Sequence, residues 1–188
     1  MTQSSTTKNH APTGWEKLRS KRPAAKAHLI FWPIAILGTA ADLWTKHAVF
    51  EWLKPTPYKE FDVIDGFARF VLRENSGAAF SIASGRTSML IAVSVIALIV
   101  VIAIFLFGRI RQTLMLIILA MFTAGITGNL YDRMFNNGYV RDFIDVYYRD
   151  YHWPAFNIAD SLLCVAVAIL VIANLTSASF RKPAHPQK

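Results

Sequence analysis

Apolar residues along the chain are concentrated in four long stretches that are separated by polar connections. The stretches run from about His28 to His47, Ser88 to Phe107, Leu114 to Tyr131 and Ile158 to Thr176. Each is close to the roughly 20 residues that an α-helix needs to cross a bilayer of about 30 Å. The pattern therefore predicts an all-α membrane protein whose four transmembrane helices form one domain, residues 28–177.

Two of the polar connections have patterns of their own. Residues 60–73 place Asp-Gly between two runs of β-favouring residues, which is typical of a β-hairpin. We expect this hairpin, or a small sheet built from it, to lie outside, at the membrane surface. Residues 146–153 are rich in Tyr and Trp, which predicts an aromatic loop at the membrane interface.

Composition and charge support a membrane protein and argue against a nucleic-acid partner. The chain is 54% hydrophobic, which is high for a soluble domain, although its net charge is +8. Eleven Lys or Arg and one acidic residue lie in three segments: before the first helix, between the second and third, and after the fourth. The other two connections contain nine basic and nine acidic residues. This alternation follows the positive-inside rule, so both termini are predicted to be cytoplasmic, with membrane lipids as contacts of the excess charge.

Two terminal segments lie outside the predicted domain. Residues 1–27 are expected to be a disordered basic cytoplasmic arm, and residues 178–188 a cytoplasmic tail. The first apolar stretch could instead belong to a signal peptide, because Thr-Ala-Ala at 39–41 is similar to a small-residue cleavage site. We expect the stretch to be retained, since its loss would disturb the charge alternation.

Metal, cofactor and nucleophile motifs are absent from the sequence. The five His residues are scattered, Cys164 is the single cysteine, and no HExxH, paired CxxC or GxSxG pattern occurs. We therefore expect no metal and no cofactor.

Polar side chains instead collect at one depth of the predicted membrane domain. Eight of them lie at or beside the outer ends of helices whose interiors are almost wholly apolar: Asp42, Asn75, Asn129, Asp132, Arg133, Asp142, Asn157 and Asp160. Any one of them could be structural, for example as a helix N-cap. Together, on one side of a small membrane protein, they indicate a functional site.

Two carboxylates are the simplest catalytic groups in this set. Asp142 precedes the aromatic connection and Asp160 follows it, so a folded-back connection can bring the two together. Carboxyl groups at hydrogen-bonding distance cannot both ionise, so one keeps a proton while the other is anionic. Such a pair can take a proton from water and give one to a leaving amine.

Five short motifs occur in a fixed order along the chain. They are Asp42 to Lys46, Asn-Ser-Gly-Ala-Ala-Phe at 75–80, Gly-Asn-Leu-Tyr-Asp-Arg at 128–133, Gly-Tyr-Val-Arg-Asp-Phe-Ile at 138–144 and Pro-Ala-Phe-Asn-Ile-Ala-Asp-Ser at 154–161. The ordered set resembles the bacterial lipoprotein signal peptidase family, signal peptidase II. The resemblance implies an aspartyl endopeptidase of the bacterial inner membrane that cleaves diacylated prolipoproteins just before the lipidated cysteine.

The resemblance also implies that the hairpin of residues 60–73 is an extracytoplasmic cradle on the membrane surface, and it implies roles for individual residues. Asp142 and Asp160 would be the catalytic pair of an enzyme that is expected to act as a monomer. The other matched residues would hold the pair, the substrate or the shape of the cleft: Asn75, Gly77, Asn129, Asp132, Arg133, Asn157, Asp42 and Lys46. The long basic arm departs from most members of the family, and nothing in it indicates a role.

Two other classes of protein remain as alternatives. A proton-coupled transporter or channel subunit also places acids within a membrane, but typically near its middle and often in two related halves. Neither feature is visible in the sequence. A non-enzymatic membrane anchor would leave the clustered polar residues without a role.

Overall fold

Four long helices and a small antiparallel sheet make up the described part of the chain. The computed structural model describes residues 23–77 and 85–179. The helices are α1 (Ala25–Leu53), α2 (Thr87–Phe107), α3 (Thr113–Phe135) and α4 (Ile158–Ser179), and the strands are β1 (Glu60–Ile64), β2 (Ala68–Asn75), β3 (Val140–Tyr148) and β4 (Tyr151–His152). Each helix is long and apolar enough to cross a membrane, which confirms the predicted fold class.

The first helix is longer than its apolar stretch. It begins at Ala25, before the domain boundary predicted at residue 28, and continues past His47 to Leu53. It passes without a break through residues 39–41, where a signal-peptide cleavage site was the alternative. Residues 1–22 and 180–188 lie outside the described residues, so most of the predicted arm and tail stays a prediction.

Helix α3 is the centre of the bundle, because it packs on each of the other three helices. At the end far from the predicted polar cluster, the ring of Phe31 in α1 stacks on that of Phe105 in α2 with a centroid distance of 3.9 Å. Among the described residues, α2 and α4 have little contact with each other. A groove therefore remains between them on the surface of α3.

Two glycines let α3 approach its neighbours closely near its C-terminal end. A Cβ atom on Gly125 would lie 2.6 Å from the carbonyl oxygen of Ala159 in α4. One on Gly128 would collide with the carboxylate of Asp42 in α1. The missing side chains therefore allow three helices to converge at the depth where the polar residues lie.

The strands form one four-stranded antiparallel sheet in the order β1-β2-β3-β4. The β1–β2 turn contains Gly66 with a φ of 73°, a backbone conformation that glycine adopts without strain. The hairpin predicted for residues 60–73 is confirmed, and its second strand continues to Asn75.

The prediction of a loop at residues 146–153 is wrong, because most of this segment belongs to two strands. Strand β3 continues to Tyr148 and returns as β4 after a two-residue turn. Tyr147 pairs with His152 across these strands, and their rings stack at 5.3 Å. Aromatic cross-strand contacts of this kind stabilise strand pairing, which explains why the aromatic segment is extended rather than irregular.

Candidate active site

Backbone pairing on both sides of β3 brings the two predicted carboxylates together. Strand β2 places Asn75 next to the start of β3, where its side chain reaches Asp142. On the other side, the backbone N–H groups of Ile144 and Phe156 each donate to the other's carbonyl oxygen, at 2.9 and 3.0 Å. Phe156 precedes Asp160 by four residues, so this bridge draws the beginning of α4 against β3. The chain folds back as the sequence predicted.

Asn157 links the two carboxylates. Its side-chain amide donates to Oδ1 of Asp142 at 2.7 Å, and its Oδ1 accepts the backbone N–H of Asp160 at 2.9 Å. Oδ2 of Asp160 in turn accepts the backbone N–H of Asn157 at 3.2 Å. This reciprocal arrangement has the pattern of a capping box at the start of α4. Asp160 therefore caps a helix in addition to its predicted catalytic role, and activity measurements separate the two roles.

Two more side-chain amides orient the carboxylates. Asn129 donates to Oδ1 of Asp160 at 2.7 Å, and Asn75 donates to Oδ2 of Asp142 at 3.1 Å. Oδ1 of Asn129 accepts hydrogen bonds from Lys46 at 3.0 Å and Asn157 at 3.2 Å, which fixes the orientation of its amide group. Each carboxyl group is thus held through both of its oxygen atoms.

The electrostatic environment favours a shared proton. Asp142 is buried and Asp160 is half-buried. Burial, together with the negative charge of Asp160, raises the pKa of Asp142 from 3.8 to about 7, against the opposing effect of the Asn75 and Asn157 hydrogen bonds. Asp142 therefore carries a proton for part of the time near neutral pH. The titration belongs to the coupled pair rather than to one residue.

Replacing Asp142 by Asn should change how stability depends on pH. The folded protein binds the Asp142 proton more tightly than the unfolded chain, so the wild-type protein should lose stability between about pH 4 and pH 7 and level off above that range. Asn does not titrate, so the melting temperature of the variant should rise relative to wild type across this window. Thermal melting in detergent at a series of pH values measures the difference. Parallel curves for the two proteins would contradict the raised pKa.

A buried ionic network supports the pair from the side of α1 and α3. Nζ of Lys46 lies 2.7 Å from Oδ2 of Asp42 and 3.4 Å from Oδ2 of Asp132, and all three side chains are fully buried. The contact with Asp42 is ionic rather than a well-directed hydrogen bond, because Oδ2 of Asp42 has no hydrogen-bond partner among the described residues. Oδ1 of Asp42 accepts the backbone N–H of Ala159 at 2.8 Å and so fixes the first turn of α4.

Arg141 is a supporting residue that the sequence reasoning missed. Its guanidinium donates to Oδ1 of Asp132 at 2.6 Å through Nη2, and its backbone N–H donates to Oδ2 at 2.9 Å. These bonds fix the start of β3 against the end of α3, directly before Asp142. Successive side chains of a strand point to opposite faces of the sheet. This alternation could have identified Arg141 as a supporting residue on the face opposite to Asp142.

The guanidinium of Arg133 is held by two backbone carbonyl oxygens. Its Nη2 donates to the carbonyl oxygen of Gly77 at 2.8 Å, and its Nη1 donates to that of Asn129 at 3.4 Å. Its Nε–H is buried and has no acceptor among the described residues. Gly77 is held by a bond from its N–H to Oδ1 of Asn75 at 2.9 Å. The rest of the predicted 75–80 motif, residues 78–80, lies outside the described residues.

The two carboxylates lie at the polar end of a cleft of about 1150 Å³. Arg133 and Asn129 also line this end, while the walls between α2, α3 and α4 are largely apolar and include Leu90, Val93, Ile126 and Leu163. The shape can accommodate an apolar segment with a polar bond at its end. No group of three His, Cys, Asp or Glu side chains in residues 23–77 and 85–179 is placed to hold a metal ion.

Comparisons with known proteins agree on one family. The family model described as signal peptidase (SPase) II matches residues 34–176. A lipoprotein signal peptidase of Francisella tularensis subsp. novicida is 40% identical over 152 residues, which cover 78% of this chain and 92% of that protein. One of Geobacter sulfurreducens is 46% identical over 118 residues, covering 61% and 73%. A solved structure described as a bacterial membrane enzyme superposes with a TM-score of 0.75 at 30% identity, covering 89% of this chain and 98% of the other.

Proposed function

The chain belongs to the signal peptidase II family, and we propose that Asp142 and Asp160 are the catalytic pair of an aspartic endopeptidase. Membership in the family makes it a membrane protease that removes lipoprotein signal peptides. The proposed catalytic type is supported chiefly by one observation, the linkage of the two carboxylates through Asn157 at the polar end of the cleft.

Different environments give the two carboxylates different roles in the proposed reaction. Asp160 lies in the first turn of α4, where the helix dipole favours negative charge, so it is the base that takes a proton from the attacking water. Asp142 has a pKa of about 7 and supplies a proton to the leaving amine. The water oxygen bonds to the substrate carbonyl carbon, the C–N bond breaks, and the pair ends the step with its proton count unchanged.

Arg133 and Asn129 are proposed to position the substrate and the pair respectively. Arg133 lines the same cleft as the carboxylates, so its guanidinium can donate to a carbonyl oxygen of the substrate backbone. Asn129 holds Asp160 and is itself held by Lys46. The ion pairs that Lys46 forms with Asp42 and Asp132, and that Arg141 forms with Asp132, then hold α1, α3 and β3 in position around the cleft.

We propose that the lipid on the substrate cysteine helps to place the scissile bond. The relatives are named lipoprotein signal peptidases, and the apolar walls of the cleft suit acyl chains as well as an apolar peptide. Each buried CH₂ group contributes about 0.8 kcal/mol, so two acyl chains can dominate binding.

A diacylated prolipoprotein should therefore be cut much faster than the same precursor without lipid. Purified full-length protein in detergent is incubated with each precursor, and the shortened product is followed with time. We expect a difference of at least about 100-fold, since burial of only four CH₂ groups already accounts for more than that factor. Equal rates would overturn the role of the lipid and leave the peptidase activity standing, whereas no product from either precursor would contradict the peptidase itself.

The orientation in the membrane is proposed from the charge pattern. Both termini would be cytoplasmic, and the pair and sheet would lie at the outer face, because the basic excess alternates between the connections. A cysteine placed at residue 58 should react with a membrane-impermeant thiol reagent in intact spheroplasts, while one at residue 185 should not. Labelling at 185 would contradict this orientation.

We also propose that the enzyme acts as a monomer, since one chain supplies both carboxylates and every support described for them. The sequence alternative of a proton-coupled transporter receives no support from the comparisons. Cleavage by a protein that sediments as a monomer in detergent would agree with the proposal, and activity confined to a dimer would contradict it.

A further inference from the structure

A second cavity lies at the opposite end of the helix bundle from the carboxylate pair. It has a volume of about 640 Å³ and is formed by the N-terminal end of α1, the connection between α2 and α3, and the first turns of α3. Three basic side chains line it, those of Lys26, Arg109 and Arg111, and no acidic residue does. Nothing in the proposed peptidase mechanism uses this cavity.

The lining of the cavity is amphipathic. Its basic residues are exposed, whereas Ala27 and Leu116 on its wall are buried members of the apolar core and Ile30 packs against that core. A ligand that fits must therefore present negative charge to the rim and apolar surface to the wall. A free inorganic anion meets only the first requirement.

The backbone adds to the positive potential. The N-cap residues of α1 and α3, Ala24 and Gln112, make no side-chain capping hydrogen bond, and neither helix has an acidic residue in its first turn. Ala24 and Thr113 of these two helix ends line the cavity. The positive ends of two long helices thus point to the same place as the three cations.

The protein itself offers almost no negative charge to balance this site. None of the three basic residues forms an ion pair with another residue in the described ranges 23–77 and 85–179. Residues 1–22 contain five Lys or Arg and only Glu16 as an acid, and residues 180–188 contain three Lys or Arg and no acid. The two terminal segments are therefore net basic as well, which leaves the positive charge of the cavity for a ligand to balance.

We propose that this cavity binds the headgroup of an anionic phospholipid, with the phosphate at Lys26, Arg109 and Arg111 and an acyl chain along Ile30 and Leu116. The cavity lies where α1 and α3 begin and α2 ends, and these helices are long and apolar enough to span a membrane, so lipid headgroups are expected at this depth. Basic pockets between transmembrane helices are suited to anionic headgroups for the same electrostatic reason. The site is independent of the catalytic pair.

The test compares lipids and charge-matched variants of the full-length protein. Melting temperatures are measured in detergent with added phosphatidylglycerol, phosphatidylcholine or inorganic phosphate. The cavity variant carries Lys26→Gln, Arg109→Gln and Arg111→Gln. The control variant removes the same charge near the sheet through Lys54→Gln, Lys59→Gln and Arg149→Gln.

Phosphatidylglycerol should raise the melting temperature of the wild type and the control variant by about 5 °C, as expected for a ligand well above its dissociation constant. Phosphatidylcholine and inorganic phosphate should have little effect, and the cavity variant should not respond to phosphatidylglycerol. If the triple variant does not fold, Arg109→Gln and Arg111→Gln are measured singly and should each weaken the response. An equal effect of the two lipids, an undiminished response of the cavity variants, or an equal effect of inorganic phosphate would each overturn the proposal.

Discussion

Replacing Asp142 by Asn should abolish cleavage of a diacylated prolipoprotein, and adding Asp160→Asn should reduce the rate no further. Asn nearly keeps the shape of Asp but neither carries a charge nor exchanges the proton that the mechanism needs. A positioned acid or base contributes about 10²–10⁴-fold to a rate, so each single variant should lose at least that much. The double variant should be no slower, because residues that act as one unit are not additive. Single-turnover cleavage rates measure all three variants.

Asp145→Asn is the matched control for this experiment. Asp145 is also buried on β3 and lines the same cleft, but its Oδ2 accepts a hydrogen bond from Arg69 at 2.8 Å rather than one from the amides that hold the pair. Its replacement should leave cleavage close to the wild-type rate. A double variant far slower than either single variant would show that Asp142 and Asp160 act separately.

Replacing Lys46 by Met should greatly destabilise the folded protein. Met is similar in length but uncharged, so Asp42 and Asp132 would remain fully buried without their shared cation. Removing one partner of a buried ion pair typically costs about 3–5 kcal/mol. For a chain of this size, such a loss lowers the melting temperature by on the order of 10 °C. Thermal melting of the purified variant in detergent measures the change.

Lys54→Met provides the control at the C-terminal end of the same helix. Lys54 pairs with Glu51 at the end of α1, but more than half of each side chain is exposed. Solvent screens an exposed pair, so this variant should melt close to wild type. If the melting temperatures of the Lys46 and Lys54 variants fell by similar amounts, the prediction that the buried network stabilises the fold more than an exposed ion pair would be contradicted.

The sequence predicted the helices and the depth of the site because these depend on local composition. A stretch of about 20 apolar residues has few alternatives to a membrane helix, whatever the rest of the chain does. The hairpin at 60–73 was predictable for the same reason, since its turn signal lies between its own strands. The proximity of Asp142 and Asp160 was predictable because the connection between them is short enough to fold back.

The connections between side chains could not be predicted in this way. Lys46 contacts Asp132 and Asn129 from a distant part of the chain, and only the packing of α1 on α3 decides that contact. The pairing of Arg141 with Asp132 likewise depends on how β3 leaves the end of α3. The extension of β3 past residue 146 follows from cross-strand ring stacking, which composition alone did not distinguish from an aromatic loop.

The cleavage rate of Asp160→Asn, measured together with its melting temperature, tests the catalytic pair most directly. Asp160 has a structural role in the capping box, and the side-chain oxygen of Asn can still accept the backbone N–H of Asn157. If Asp160 is half of the catalytic pair, the purified variant should melt within a few degrees of wild type and yield no product from a diacylated prolipoprotein. Cleavage at the wild-type rate by a variant with the same melting temperature would show that Asp160 only caps α4, and would contradict the catalytic pair.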